Sequence, residues 1–449
     1  MRLTFRGGVH PPEHKEISRD KSLVAFDPKG EMVFPLSMHI GKPAKPIVQK
    51  GEAVKVGQLI AEADGFISAR VFSSCSGTVK AIEERRVLTG QDALCIVIAN
   101  DGAFTEAEGV GIERDADSMT GEEIVACVKE AGIVGLGGAG FPTHVKLAPK
   151  EPDKIRWIIA NGAECEPYLS CNDRLMRESA GQIINGLTVM LKLFPNATAV
   201  IAIEDNKPEA VEAMRAACQG RERMEVRAMQ TKYPQGGERS LIQAIAGVDF
   251  PTSKLPADYG CLVENVGTIY AIWRALRYSE PLFSHVLTLT GDAVKNPGNY
   301  IVRDGTLFSE LLEHAGGLKE GVTVKKAMCG GPMMGIALSS LDVPIQKQNN
   351  GLVLLSNDES EKAEQQMTPC LRCGRCTTVC PQGLMPEMMA EAAENRDFKR
   401  YEKKLYGLEC IQCGSCSYIC PAKRPLTQLF KHTKAEILAQ KRAEAGGKK

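Results

Sequence analysis

Eight cysteines confined to 51 residues constrain this chain more than any other feature of it. Cys370, Cys373, Cys376 and Cys380 are followed by Pro381, and forty residues later the same spacing returns as Cys410, Cys413, Cys416, Cys420 and Pro421. Half of the 16 cysteines of a 449-residue chain thus share one short region and need a common explanation. At roughly 150 residues per domain the chain has room for about three domains, so no disulfide framework is needed to make up for a small core. The opening stretch, residues 1–12, lacks the apolar segment of a secretory signal. The cytosol is the expected compartment, where clustered thiols serve as metal ligands rather than disulfides.

Three thiolates spaced two residues apart can wrap three irons of one cubane, while the fourth, followed by proline, points to a second cubane. One 4Fe-4S cluster is therefore expected on Cys370, Cys373, Cys376 and Cys420, and the other on Cys410, Cys413, Cys416 and Cys380. Zinc prefers two ligand pairs separated by a longer loop, which this doubled run does not provide. Met385 to Tyr406, between the motifs, has a helical pattern, so an α-helical ferredoxin-type domain is expected. Two adjacent cubanes make a wire, with electrons entering near one and leaving near the other. The remaining cysteines (Cys75, Cys95, Cys127, Cys165, Cys171, Cys218, Cys261 and Cys329) show no ligand spacing and read as small buried hydrophobes.

Upstream, the pattern changes several times. Glycine-punctuated β-rich runs between Ile40 and Ile82 predict a small all-β sandwich. They resemble the biotinyl/lipoyl-type hammerhead. The hairpin that would present a modified lysine reads Ala63-Asp64-Gly65-Phe66, which implies a scaffold rather than a swinging arm. From 121 to 290 helices and strands alternate: a helix at 122–131, a glycine loop at 135–140, strands at 155–160, 199–203 and 224–229, and helices from Pro208 and Glu238. That order predicts a largely parallel sheet with helices packed on it. Residues 286–317 hold two strands, a Pro-Gly turn and a short amphipathic helix, and resemble a soluble-ligand-binding β-grasp (SLBB) domain. An acidic stretch, 357–366, is expected to link it to the cysteine region.

The loop Gly135-Leu136-Gly137-Gly138-Ala139-Gly140 fits G-x-G-x-x-G, but a helix rather than a strand precedes it, the wrong context for a dinucleotide fingerprint. Its meaning comes from its company. GLGGAGFPTHVK (135–146) is followed in order by IANGAECEP (159–167), YPQGGE (233–238) and ENVGTI (264–269). These four blocks resemble the flavin- and NADH-binding subunit of respiratory complex I and its relatives. With the opening FRGGVHPPEHKE (5–16), the hammerhead, the β-grasp segment and the doubled cysteine run, the chain resembles the RnfC family of the Rnf electron-transport complexes, to about residue 430. The cobalamin reductase of bacterial microcompartments is an alternative relative that shares the later modules but not this opening. The organisation so implied is multidomain α/β. It comprises a barrel-sandwich hammerhead at 1–110, a Rossmann-like flavin domain at 111–284, an SLBB-type β-grasp at 285–355, and an α-helical double 4Fe-4S ferredoxin domain at 356–449.

The resemblance implies specific roles. Gly135, Gly137, Gly138 and Gly140 would bring backbone N–H groups to the phosphate of FMN, with Lys146 as its counter-charge. Asn161, Asn265 and Thr268 would hydrogen-bond the flavin and its ribityl chain. Phe141 would offer a ring to NAD(H), and Glu164, Glu166 and Glu238 would belong to the same pocket. No side chain is expected to act as a catalyst in its own right, because the chemistry resides on FMN. The family pattern is altered at Ala163, Gly237, Glu264 and Pro149, mostly on the nucleotide side. The family transfers electrons from reduced ferredoxin, through membrane-integral and ferredoxin-like partner subunits, to NAD+, and couples that flow to Na+ or H+ translocation. This chain would be a peripheral subunit on the cytoplasmic face of the cell membrane.

Charge and hydropathy set bounds on that reading. Lys+Arg and Asp+Glu number 55 each, so no global basic field for nucleic acid exists. The longest apolar stretch, 187–203, is broken by Lys192, Pro195 and Asn196, short of the ~20 residues a spanning helix needs. Residues 421–449 hold eight basic residues, Lys448 and Lys449 among them, against Glu436 and Glu444. With an apolar stripe at Leu426, Leu429, Phe430, Ile437 and Leu438, this tail reads as a helix docked on the ferredoxin domain. A non-catalytic two-cluster adaptor, with the α/β domain only a docking platform, is the alternative from a different class.

Overall fold

The computed structural model describes residues 3–138 and 140–446. Ala139 of the glycine loop and Lys448 and Lys449 of the basic tail lie outside the described residues. The N-terminal sandwich sets a four-stranded antiparallel sheet, in the order Met32–Pro35, Asp92–Asn100, Gly77–Arg86, Ala53–Val54, against a three-stranded sheet of Lys45–Pro46, Leu59–Glu62 and Val71–Phe72. Strand alternation gives its outer strand two buried faces. Met32, Phe34, Ile96 and Ile98 fill the sandwich, while Val33, Cys95 and Val97 pack outward with Leu307 of the β-grasp region. Gly77 permits a close strand approach, since a Cβ there would lie 2.0 Å from the Ala99 carbonyl oxygen.

Residues 3–31 are not part of the sandwich sheets. They run as a strap over the other modules. Leu23–Ala25 pairs in parallel with Gly298–Arg303 as the edge of the β-grasp sheet, Leu3 bridges Met229 of the central sheet, and Val9 bridges Tyr233. Gly7 and Gly8 pass so close to the cysteine domain that a Cβ on Gly7 would stand 2.7 Å from Val379 O and 2.8 Å from Cys380 O.

The central domain is a four-stranded parallel sheet in the order Met224–Met229, Thr198–Glu204, Trp157–Asn161, Cys261–Asn265. Ile158, Ala160, Ile201 and Ile203 face one side, under the helices Gly121–Glu130, Cys171–Glu178, Ala180–Lys192 and Val266–Tyr278. Ile159, Val200 and Ala202 face the other, under Glu238–Ala246. Burial on both faces explains the continuous apolar runs of these strands. The β-grasp module is a six-stranded mixed sheet around the helix Phe308–His314. The expected linker at 357–366 contains a helix, Glu359–Gln365. Its N-terminal amide at Ser360 is capped by Asp358, which also pairs with Lys326 at 3.0 Å.

The cysteine domain is helical, as its pattern predicts, but Asn395–Asp397 divides the stretch between the motifs into Pro386–Glu394 and Phe398–Lys403. The C-terminal helix Leu426–Gly446 buries Leu426, Phe430 and Ile437 against Met389 and Tyr401. Most of its stripe is therefore spent on the domain core, with Leu429 partly buried there, while Leu438 is exposed. Among the described residues no helix is long and apolar enough to cross a membrane.

Candidate functional site

Trp157–Asn161 and Cys261–Asn265 are paired in register, so Asn161 and Asn265 end side by side at the carboxyl edge of the sheet. Crevices outside such edges are where open α/β sheets bind ligands. The glycine loop lies over this edge and is closed on itself: Gly135 N donates to Phe141 O at 2.8 Å and Gly140 N to Gly135 O at 3.0 Å. Leu136 N donates to Thr268 Oγ1 at 2.9 Å. Of the four loop glycines expected to offer amides, Gly135 and Gly140 spend theirs inside the loop, and only Gly137 and Gly138 keep amides without a partner among the described residues. Gly137 has φ +79°, and a Cβ on it would come within 3.2 Å of Asn265 Nδ2.

The other expected contacts divide into those that face the crevice and those that build it. Asn265 does both: Oδ1 caps the helix Val266–Tyr278 by accepting Gly267 N at 2.7 Å, and Nδ2 faces Gly137. Asn161 is spent on scaffold, with Nδ2 donating to Gly236 O at 2.8 Å and Oδ1 accepting Ala163 N at 3.2 Å. Thr268 is fully buried beneath the glycine loop. Phe141, half-buried, gives its carbonyl to the loop. Glu164 turns away from the crevice, where its two oxygens accept Asn172 N and Asp173 N at 2.8 and 3.1 Å and cap the helix Cys171–Glu178.

Lys146, expected beside a phosphate, donates instead to Val263 O at 2.8 Å and to Glu238 Oε1 at 3.2 Å, with Glu264 Oε1 at 3.8 Å. Burial disfavours its charge, but Glu264 and Glu238 hold its pKa above the ordinary value. Glu264 is 2% exposed, and burial pushes its carboxyl up to about 7 against the pull of Lys146.

Glu166 reaches toward the β-grasp and cysteine domains. Its oxygens accept Met333 N and Met334 N at 3.0 and 2.9 Å. Burial raises its pKa to about 7. Tyr233 OH lies 3.4 Å from Glu166 Oε1 and donates to Cys413 O at 2.8 Å. Val9, Tyr233 and Cys413 form a buried apolar knot with Cys165 and Met333, so four modules meet between the crevice and the second cysteine motif. Lys15 fixes the loop that carries Glu166: its buried ammonium donates to Glu164 O and Glu166 O at 2.8 Å and to Leu169 O at 2.5 Å. Its role is invisible in a spacing rule, although it lies inside the FRGGVHPPEHKE block.

The two cysteine motifs repeat in backbone geometry. Arg372 N donates to Cys370 Sγ and Gln412 N to Cys410 Sγ, both at 3.4 Å. Cys410, Cys413 and Cys416 wall one cavity together with Cys380 of the first motif, the set expected to share a cubane. Thr368 N donates to Ala422 O at 3.1 Å, bringing the start of the first motif to the end of the second. Among the described residues no three His, Cys, Asp or Glu side chains converge on one ion-sized point. Of the remaining cysteines, Cys75, Cys95, Cys171, Cys261 and Cys329 are buried and Cys127, Cys165 and Cys218 partly so.

Among the described residues, half of the twelve buried polar atoms without a hydrogen-bond partner belong to segments around the sheet edge and glycine loop: Thr143 Oγ1, both amide atoms of Gln235, Ser240 Oγ, Glu264 Oε1 and Gln348 Oε1. Burying such groups without partners is costly, so these atoms suit a polar guest in the crevice.

Comparison with known proteins agrees with this geometry. Four family models match: the RnfC barrel sandwich hybrid domain over residues 3–103, the Nuo51 FMN-binding domain over 128–274, the SLBB domain over 286–337, and a 4Fe-4S dicluster domain over 362–421. The chain is 42% identical to a subunit of the proton-translocating ferredoxin:NAD(+) oxidoreductase complex of Clostridium ljungdahlii, covering 97% of this chain and 94% of that protein. It is equally identical, 42%, to a subunit of the Na(+)-translocating ferredoxin:NAD(+) oxidoreductase complex of Acetobacterium woodii, covering 98% of each. A subunit of the ion-translocating oxidoreductase complex of Haemophilus influenzae strain PittEE is 40% identical over 96% of this chain and 66% of that protein. The chain belongs to the RnfC family, whose members are subunits of the ion-translocating ferredoxin:NAD+ oxidoreductase (Rnf) complexes.

Proposed function

We propose that this protein passes electrons between NAD(H) in the crevice and two 4Fe-4S clusters, with FMN between them, on the cytoplasmic face of the membrane complex. The single observation that carries the reading is the short polar bridge from the crevice to the second motif, Glu166 to Tyr233 to Cys413 O. FMN, when bound, supplies the conversion of a two-electron hydride into single electrons for the clusters. Gly137, Gly138 and Asn265 would hold it, and Glu238 and Phe141 would border the nucleotide. Lys146 offsets part of the cost of burying the Glu264 carboxyl at the crevice floor, and Lys15 holds the Glu166 loop in place.

The cluster on Cys410, Cys413, Cys416 and Cys380 is then the inner one, and that on Cys370, Cys373, Cys376 and Cys420 the outer one. Cys370 and Cys373 are exposed, so the outer cluster would exchange electrons with a ferredoxin-like partner protein, while ion translocation belongs to membrane-integral partners. Reconstituting the full chain with FMN, iron and sulfide and measuring NADH-dependent dye reduction tests the reading. Turnover that disappears on removal of FMN is expected; no turnover at full cofactor occupancy would contradict it and favour the adaptor.

A further inference from the structure

The β-grasp domain touches the glycine loop. Beyond its strand Lys326–Cys329, the chain returns through the segment 346–350 to the strand Gly351–Leu355. That segment is held firmly. Gln346 N donates to Asn349 Oδ1 at 2.7 Å, and the buried ammonium of Lys347 donates to Arg70 O of the sandwich and Gly132 O of the central domain at 2.7 and 2.8 Å. Asn350 O accepts Thr288 N at 3.0 Å. The segment thereby presents two carboxamides to the loop. A Cβ on Gly140 would lie 3.7 Å from Gln348 Cβ, and a Cβ on Gly137 would lie 3.8 Å from Asn350 Nδ2.

We propose that Asn350 completes an anion cradle, made with the Gly137 and Gly138 amides and Asn265 Nδ2, that binds the phosphate of the flavin nucleotide across two domains. The inference rests on the flavin reading above and deepens it. Three features support it. The Nδ2 groups of Asn265 and Asn350 donate to no described residue, and both face the same side of Gly137, where only a hydrogen leaves room for an oxygen. The cation expected to meet the phosphate, Lys146, is already engaged by Glu238 and Glu264, so uncharged donors must do the work. Backbone amides that converge in a turn with positive φ form the concave nests that hold phosphates, and carboxamide N–H groups add donors without the desolvation cost of a charge.

The test compares FMN with riboflavin, which lacks only the phosphate. Each is titrated into the flavin-free full chain with clusters in place and followed by quenching of flavin fluorescence. Asn350→Asp puts a carboxylate against the phosphate and should weaken FMN binding by about 100-fold, while riboflavin binding changes by less than about 3-fold. Asn350→Ala removes one charge-assisted hydrogen bond and should cost FMN about 10-fold. Unchanged electron paramagnetic resonance of the clusters in both variants reports an intact fold. FMN binding by Asn350→Ala and Asn350→Asp equal to that of the wild type overturns the cradle, as does equal loss of both flavins. A wild-type chain that binds neither flavin overturns the flavin reading and the cradle with it.

Discussion

The two cysteine motifs are the same sequence device placed in opposite surroundings. Their backbones superpose in kind: Arg372 and Gln412 have φ +51° and +58°, and Gly374 and Gly414 have φ +72° and +85°. Their neighbours do not match. Cys413 is 7% exposed beneath Tyr233, and a Cβ on Gly414 would stand 3.0 Å from Met333 O. Leu371 is 62% exposed beside the exposed Cys370 and Cys373, and between Met367 and Pro386 the chain carries Arg372 and Arg375 with no acidic residue. The repeat fixes the cysteine spacing, while the strap at Gly7 and Gly8, the Glu166 loop and the segment at Met333 decide which motif is buried.

That contrast can be broken at several points. The largest effect is expected from ligand replacement. Cys413→Ser should remove the inner cluster, about half the iron, and with it the reduction of the outer cluster by NADH. Cys370→Ser should remove the outer cluster yet leave NADH able to reduce the inner one; iron analysis with electron paramagnetic resonance checks both. Equal loss of NADH-driven cluster reduction in the two variants would erase the distinction between inner and outer.

A second effect concerns the buried carboxyl at the flavin end. The pKa of Glu264 rises from an ordinary 4.5 to about 7 on folding. A raised acid pKa contributes stability that is present below pH 4.5 and lost as pH climbs to about 7, because ionisation is harder in the folded chain. Glu264→Gln escapes that loss. Its stability advantage in thermal or urea unfolding should grow between pH 5 and pH 8 toward about 3 kcal/mol; an advantage independent of pH would show that Lys146 fully compensates the charge.

Smaller effects sharpen the comparison. A bulky anionic oxidant such as ferricyanide should attack the exposed, Arg-flanked cluster at least about tenfold faster than the buried one, a difference worth roughly 1.4 kcal/mol in barrier. Monitoring the decay of each cluster signal checks it. Tyr233→Phe deletes the hydrogen bond to Cys413 O and should slow flavin-to-cluster transfer several-fold while costing about 1 kcal/mol of stability. Stopped-flow flavin reoxidation gives the first number and thermal unfolding the second.

Much of this architecture is legible in the amino-acid order. The doubled cysteine spacing, the strand Thr198–Glu204 and the helix at Pro208 all appear where local pattern puts them, because burial on two sheet faces and a first-turn proline leave a direct imprint. The cofactor site is less legible. Nothing in GLGGAG reveals that the amides of Gly135 and Gly140 are consumed inside the loop, or that the side chains of Asn161 and Glu164 hydrogen-bond to backbone groups. Those facts depend on partners such as Gly236 and Asn172, which only the folded sheet brings near. Lys15 and Asn350 are harder still, since each serves a domain that its own position in the chain does not suggest. The strand Leu23–Ala25, too short to carry a pattern, joins a sheet whose other strands lie more than 250 residues downstream.

The central claim is the order of the relay: crevice, inner cluster, outer cluster. Rapid mixing of the reconstituted chain with NADH, followed by freeze-quenched electron paramagnetic resonance, tests it most directly. The account predicts that the signal assigned to the inner cluster by Cys413→Ser appears first and that the outer signal grows at its expense. An outer signal that appears first, or that persists undiminished in Cys413→Ser, would contradict it.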